Sequence, residues 1–263
     1  MAKHYDIMVI DDEQVILDAV NRICKAEDFA VDTCLDAETA LQRIAQNGYR
    51  LVLCDLMLSD IDGFQFLDML SERKIDVQVV MMTGFSTMEN AVKSLHEGAI
   101  DFIPKPFTTD ELCSTLARSF KYVELKELEK TQKGDILTHI PCPAKFYRLG
   151  YAAWITKDMR GAVFVGVTDM FLKTIQSVKR IKTLSPEEEM NQGSYCASLI
   201  TAEDMIHPLI APLSGRIIEI NSALQENYTL VEKDPYFKGW IYRIIPNDLD
   251  FELKNLISCS IDI

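Results

Sequence analysis

Over its first 120 residues the chain alternates short apolar runs with helical patterns, and that alternation constrains its fold more than any other feature. Apolar runs at 7–10, 30–34, 51–55, 77–83 and 101–104 predict strands; amphipathic stretches at 14–26, 37–47, 64–73, 87–97 and from about 108 predict helices. Five strand–helix units make an α/β fold, a doubly wound five-stranded parallel sheet with helices on both faces. In such a sheet every strand ends at the same edge, and ligands bind there, where strand order reverses. Asp11 and Asp12 follow IMVI, Asp55 follows LVLC, Thr83 follows QVVMM and Lys105 follows DFIP. One edge thus gathers three carboxylates, one hydroxyl and one ammonium.

That set suits a divalent metal and a phosphoryl group. Mg²⁺ takes hard oxygen ligands and keeps several waters, so one or two carboxylates and the phosphoryl oxygens hold it. Asp12 and Asp55 supply direct carboxylates, Asp11 bonds through a metal-bound water, and the Met57 carbonyl completes the set. Crowded carboxylates are costly without a cation among them. Asp55 is then the nucleophile, Lys105 a point charge for the transferred group, and Thr83 a short hydroxyl able to swing to a new phosphoryl oxygen. Taken singly, each residue has a plainer reading: Asp11-Asp12 as helix caps, Asp55 as a loop acid, Lys105 as a solvated lysine.

The segments VIDDE (9–13), LCDLMLSDIDGFQFL (53–67), VVMMTGFS (79–86) and GAIDFIPKPF (98–107) resemble the receiver domains of bacterial response regulators over residues 4–124. The resemblance implies that Asp55 is the phospho-acceptor, Asp11 and Asp12 the acid pair, Thr83 and Lys105 the switch hydroxyl and lysine. It also implies that Phe102 is a rotating switch aromatic, with an ordinary core Phe as the alternative, and that Lys105–Pro106 is cis. Met57 and Phe85 occupy the positions that flank the attacking water in that family. Apolar groups there cannot orient water, so a slowly hydrolysing aspartyl phosphate is expected.

Composition bounds the rest. At 263 residues the chain is long enough for two cores, and its net charge of −13 is uneven: residues 1–130 carry 13 basic against 24 acidic residues, residues 131–263 carry 14 against 16. Neither half has a basic patch or helix-turn-helix signature for nucleic acid. No signal peptide or membrane-length apolar run is seen, and seven cysteines without CxxC spacing read as reduced thiols of a cytoplasmic protein. Two domains joined by a linker are expected: 1–124, a helical linker over 125–146, and 147–263. Over residues 108–132, Thr108 or Thr109 caps a helix striped by Leu112, Leu116, Phe120, Val123 and Leu128, and KGD (133–135) ends it. That helix either dimerises or transmits a signal, or is a solvated linker.

From about 147 short strands broken by Gly, Pro and Asn predict a mainly β sandwich or barrel, with a helix over 169–180 and a helix start at SPEEE (185–189). Trp154 with VFVGVT (163–168), IAPLSGRIIEIN (210–221), LVEKDPYFKGWIYRIIPND (230–248) and ELKNLI (252–257) resemble the glycine-cleavage H-protein, a lipoyl-carrier fold. That family carries its lipoyl group on a hairpin-tip lysine a few residues before the APxSG turn. Here the position falls at Glu203 or Asp204, and no lysine occurs between Lys182 and Lys233. A carboxylate cannot form the amide, so the lipoyl position is lost. Ser177-Val178-Lys179 is similar to the attachment sequence but lies some 25 residues too early, and His207 reads as a surface histidine.

Together these features imply a response regulator, phosphorylated on Asp55 by a histidine kinase or phosphotransfer protein, with Mg²⁺ as cofactor. Its output is a non-lipoylated H-protein-like module that binds another protein, such as an enzyme that recognises carrier domains. No catalysis is expected beyond self-phosphorylation and slow dephosphorylation, and a phosphorylation-favoured homodimer through the 87–120 face is expected. The rival readings are a phosphorylation-regulated lipoyl or acyl carrier and, opposed by charge, a transcription regulator.

Overall fold

In a computed structural model that describes residues 5–84, 87–131 and 137–262, the first half is built on β1 (Ile7–Ile10), β2 (Val31–Cys34), β3 (Leu51–Asp55), β4 (Gln78–Thr83) and β5 (Asp101–Pro104). All pair in parallel, in the order β2-β1-β3-β4-β5. Every residue of β1 and β3 is buried, as an apolar run covered on both faces demands. The helices between them are α1 (Gln14–Ala26), α2 (Ala37–Gln46), α3 (Gly63–Glu72), α4 (Met88–His96) and α5 (Thr109–Thr131). Their starts are local chemistry. Asp36 accepts from the Thr39 N–H, Asp62 and Gln65 form a capping box, and Thr108 exchanges hydrogen bonds with Glu111.

By contacts the chain divides into two compact units, residues 1–86 with 97–123 and residues 87–96 with 124–263. Along α5, Leu112, Leu116, Phe120 and Val123 are buried as the sequence stripe predicts, but Leu128 is 43 % exposed and Leu125 is buried instead. The helix passes from one unit to the other after Val123, so a single stripe cannot serve its whole length. KGD (133–135) lies outside the described residues.

The second half adds β6 (Tyr147–Leu149), β7 (Ala153–Lys157), β8 (Val163–Val167), α6 (Asp169–Thr174), β9 (Val178–Thr183), β10 (Glu189–Met190), β11 (Tyr195–Thr201), β12 (Ile206–Ile210) and β13 (Gly215–Ile220). Then follow α7 (Ser222–Glu226), α8 (Leu230–Lys233), β14 (Tyr242–Pro246), α9 (Leu249–Glu252) and β15 (Ile257–Ser258). A seven-stranded antiparallel sheet, β10-β13-β14-β8-β7-β6-β15, accompanies a three-stranded one, β12-β11-β9. Trp154, fully buried, anchors a cluster with Cys142, Phe146, Tyr236 and Cys259. No helix among the described residues is long and apolar enough to cross a membrane, and the seven cysteines are free thiols, six of them buried.

Three sequence expectations fail here for physical reasons. The helix expected over 169–180 stops at Thr174, because Ile175 turns extended and Val178–Thr183 pairs with β11. SPEEE forms no helix: Glu187 adopts φ +68°, and Glu187 and Glu188 exchange backbone hydrogen bonds with Ile217. The Ser185 N–H still donates to the Glu188 carboxylate, so the local helix-start signal is real but loses to sheet pairing. His207 is buried at 2 % exposure, not on the surface, because its β12 position faces Leu199.

Tyr242 joins the two sheets. Its hydroxyl accepts from the Leu184 N–H at 2.9 Å and donates to the Cys196 carbonyl at 2.6 Å, with the residue wholly buried. Burial pushes its phenol far above the ordinary range. Tyr242→Phe strands a buried donor and acceptor, and costs about 1–3 kcal/mol in denaturant melts that follow the second unit; an unchanged midpoint would refute the bridge.

Candidate functional site

The edge where β1, β3, β4 and β5 end gathers the residues picked out by the sequence. Ligand oxygens of Asp11, Asp12 and Asp55 lie within 4.8 Å of one another. Lys105 Nζ reaches Asp11 Oδ2 at 2.5 Å and Asp55 Oδ2 at 3.0 Å. Asp11 is fully buried, Asp55 nearly so, and Asp12 exposed. The strand order reverses between β1 and β3, which is why the acids that terminate those two strands meet.

Burial raises the Asp11 carboxyl above the ordinary carboxylate range, with Lys105 opposing the rise. At Lys105 burial works against the charge, but its bonds to Asp11 and Asp55 win and its pKa is raised. Asp55 Oδ1 is buried without a hydrogen-bond partner among the described residues. An unsatisfied carboxylate oxygen at this depth costs about 1–3 kcal/mol or more, so the site is built to complete itself with another group. Three oxygen donors, one of them unsatisfied, fit a hard divalent cation.

The surroundings hold these groups in place. Thr83 is wholly buried, and its carbonyl accepts from the Lys105 N–H at 2.7 Å, tying the ends of β4 and β5. Lys105–Pro106 is cis. Phe102 is buried in β5. Met57 is half exposed and lines an open cleft of about 350 Å³ with Asp12, Glu13, Ile16, Asp55, Gly84, Lys105 and Pro106. Phe85 lies outside the described residues.

Sequence reasoning missed Gly63. A Cβ there would fall 2.4 Å from the Met81 side chain and 3.0 Å from the Asp55 carbonyl. Only glycine lets α3 start this close behind the Asp55 loop, and the DxDG run ahead of it was the available signal. Glu13 and Ile16, on the cleft wall, were also missed; nothing in their spacing sets them apart.

In the second unit the β11–β12 hairpin turns at Thr201–Met205, with Asp204 at φ +62°. Glu203 and Asp204 sit at its tip, as the spacing from the APLSG turn requires. Lys179 is the second residue of β9, and its Nζ lies 2.9 Å from Asp204 Oδ1, both side chains mostly exposed. That hydrogen bond holds the Asp204 carboxyl below its ordinary range. The sequence expectation set Lys179 in a helix, remote from the tip; pairing of β9 with β11 brings it there.

Residues 7–117 match the family model described as response regulator receiver domain, and residues 146–260 match that of glycine cleavage H-protein. The chain joins a response regulator receiver domain to a glycine cleavage H-protein domain. Among curated relatives, the receiver is 36% identical over 124 residues to the nitrogen assimilation regulatory protein NtrX of Azorhizobium caulinodans, covering 46% of this chain and 27% of that protein. It is 28% identical over 127 residues to the transcriptional regulatory protein ZraR of Klebsiella oxytoca, covering 48% of this chain and 29% of that one. This chain therefore spans under a third of the length of these relatives. Among solved structures, the receiver domain of NtrX from Brucella abortus is 38% identical, with 43% of this chain and 97% of that one covered and a TM-score of 0.42. The glycine cleavage H protein of Mycobacterium marinum is 25% identical, with 40% and 87% covered and a TM-score of 0.38.

Proposed function

We propose that this chain is a phosphorelay response regulator in which Asp55 accepts a phosphoryl group and thereby governs the H-protein-like domain as a protein-binding module. The observation that carries the reading is the buried, unsatisfied Asp55 Oδ1 beside Lys105 and two further carboxylates. Asp11, Asp12, Asp55 and the Met57 carbonyl would hold Mg²⁺, which supplies positive charge against the incoming phosphoryl oxygens. An Asp55 oxygen attacks phosphorus as the bond to the donor's phosphoramidate nitrogen breaks, and the phosphoryl group moves from histidine to aspartate. Lys105 leaves its carboxylate partners for the new phosphoryl group, and Thr83 and Phe102 register the change. The donor is a histidine kinase or phosphotransfer protein. The output follows as a population shift read from the last helices, with a phosphorylation-favoured homodimer as one of its forms. The working limits are a receiver over 1–124, a linker over 125–146 and an output domain over 147–263.

The deciding experiment is the intact mass of the purified chain before and after a small phosphodonor with Mg²⁺. One phosphoryl group is gained, and Asp55→Asn gains none; a wild-type chain that gains none overturns the reading. Lifetime gives a second prediction. The apolar Met57 side chain cannot orient an attacking water, so Met57→Asn shortens the phosphoryl half-life several-fold, and an unchanged half-life counts against this role.

A second reading has one observation in its favour. Lys179 places an amine 2.9 Å from Asp204, beside the tip where the family keeps its lipoyl lysine. On that reading the chain is a phosphorylation-regulated carrier acylated on Lys179. A lipoyl mass on the native chain, lost in Lys179→Arg, would select it over the non-lipoylated module.

A further inference from the structure

The sheet β12-β11-β9 has one face turned into the domain core and one turned out. Cross-strand partners share a face, so pairing identifies both. Ile181, Leu199 and His207 lie across from one another and are all buried. The opposite face carries Arg180 and Lys182 on β9, Ser198 and Ile200 on β11, and Ile206, Pro208 and Ile210 on β12. Arg180 and Lys182 are exposed, Ile206 is 52 % exposed, Ser198, Pro208 and Ile210 are partly so, and Ile200, between Arg180 and Ile206, is buried.

This outer face is therefore a row of cations parallel to a row that holds Ile206 and Ile210, with Ser198 and the buried Ile200 between them. Among the described residues, neither Arg180 nor Lys182 makes an ion pair or a side-chain hydrogen bond; Lys179, by contrast, is held by Asp204. Arg180 acts on the Asp204 carboxylate only through its charge, so the edge keeps two exposed cations without a close partner in a chain of net charge −13. Basic residues on an edge strand also discourage another strand from adding there, so an extended segment along β9 is disfavoured, and it could not reach β12. A helix can. β9 and β12 are two strand spacings apart, roughly 10 Å, which matches the roughly 10–12 Å diameter of a helix with its side chains. A helix lying over Ser198 would set one flank on the cations and the other on the isoleucines.

We infer that the outer face of β12-β11-β9 is a docking surface for an amphipathic helix of a partner protein, acidic on the flank that meets Arg180 and Lys182 and apolar on the flank that meets Ile206 and Ile210. The inference deepens the protein-binding role proposed above and rests on it. Seven residues of β11 span roughly 23 Å at about 3.3 Å each, so the docked helix has about 15 residues at 1.5 Å each.

The test uses the full chain and a fluorescent synthetic helix of that length, with Glu on one flank and Leu and Ile on the other. Anisotropy shows micromolar binding, and the paired substitution Arg180→Glu, Lys182→Glu weakens it by about tenfold or more, since like charge then faces like charge. Ile206→Ser weakens it independently, and Lys254→Glu, off this face, leaves it unchanged. Binding that ignores the paired charge reversal overturns the inference. So does equal binding of a peptide with the same composition but scrambled flanks, or tighter binding to RNA or to vesicles of anionic lipid. A photo-crosslinking residue in cells separates this failure from that of the underlying role. Protein adducts from position 198 that vanish on charge reversal support the surface. Adducts from Phe251 alone reject it while leaving a protein-binding module. Adducts from neither position reject both.

Discussion

Replacing Lys105 with alanine removes the ammonium that bonds Asp11 and Asp55, and the receiver loses about 3–5 kcal/mol of stability near neutral pH, the usual consequence of leaving a buried charge without its partner. Asp11 is wholly inaccessible and Lys105 has only 9% of its side chain exposed, so solvent does little to soften the loss. The pH dependence has a definite sign. The Asp11 carboxyl already sits above its ordinary range through burial, and without Lys105 it rises further. A carboxyl whose folded pKa is raised binds more protons folded than unfolded, so the variant's deficit is full above that pKa and shrinks as pH falls through it. Mg²⁺ supplies replacement charge to the same oxygens, so adding it to the variant recovers part of the deficit through mass action. Phosphoryl gain at Asp55 falls steeply, because the remaining carboxylates repel the incoming group. Thermal melts across pH, with and without Mg²⁺, check all of this. A variant as stable as the parent at neutral pH would mean that Lys105 does not balance the site.

The receiver was legible in the sequence because each of its signals is local or is set by topology. Ile7–Ile10 and Leu51–Asp55 are buried on both faces, so their apolar runs need no alternation to be recognised. Once five parallel strands are granted, Asp12, Asp55, Thr83 and Lys105 have one edge on which to meet. The second half was less legible where pairing decides the outcome. Met170, Phe171, Thr174 and Val178 recur at helical spacing, but Val178 pairs with Thr201 in β11, a partner 23 residues on that no local window sees. Ser185 and Glu188 make the hydrogen bond of a helix start, but the chain turns at Glu187 to meet β13. His207 looked exposed because polarity alone cannot say which face of β12 it occupies; register puts it opposite Leu199. Lys179 and Asp204 meet for the same reason. Distance along the chain separates them, and the antiparallel pairing of β9 with the hairpin strand joins them.

Gly166→Ala breaks the H-protein domain while leaving phosphoryl gain at Asp55 intact. Trp154 and Gly166 are directly paired across β7 and β8, and the indole lies against the glycine. A Cβ on residue 166 would fall 2.4 Å from Trp154 Cζ2 and 2.5 Å from Cε2, far inside van der Waals contact. The ring has nowhere to go. It is fully buried, its Nε1–H donates to the Val167 carbonyl at 2.9 Å, and Phe146 and Tyr236 stand 5.0 and 6.1 Å away between ring centroids. Overpacking of a filled core costs about 1–3 kcal/mol and sometimes more. Displacing the indole forfeits a buried hydrogen bond for about 1–3 kcal/mol besides, so a single methyl group is expected to cost about 3 kcal/mol or more. A double-mutant cycle isolates the cause. Trp154→Leu is itself destabilising, but it removes the ring that the new methyl group meets, so Gly166→Ala in that background costs far less than in the parent. Equal costs in both backgrounds would place the strain in the strand backbone, where glycine's lost freedom rather than the indole would be responsible. Calorimetry of the full chain reads the loss in the second unit's transition, and the intact mass after phosphodonor treatment reads the receiver. If both fail together, the two domains do not fold as separate units, and control of one by the other would have to be sought in shared stability rather than in a shifted equilibrium between docked states.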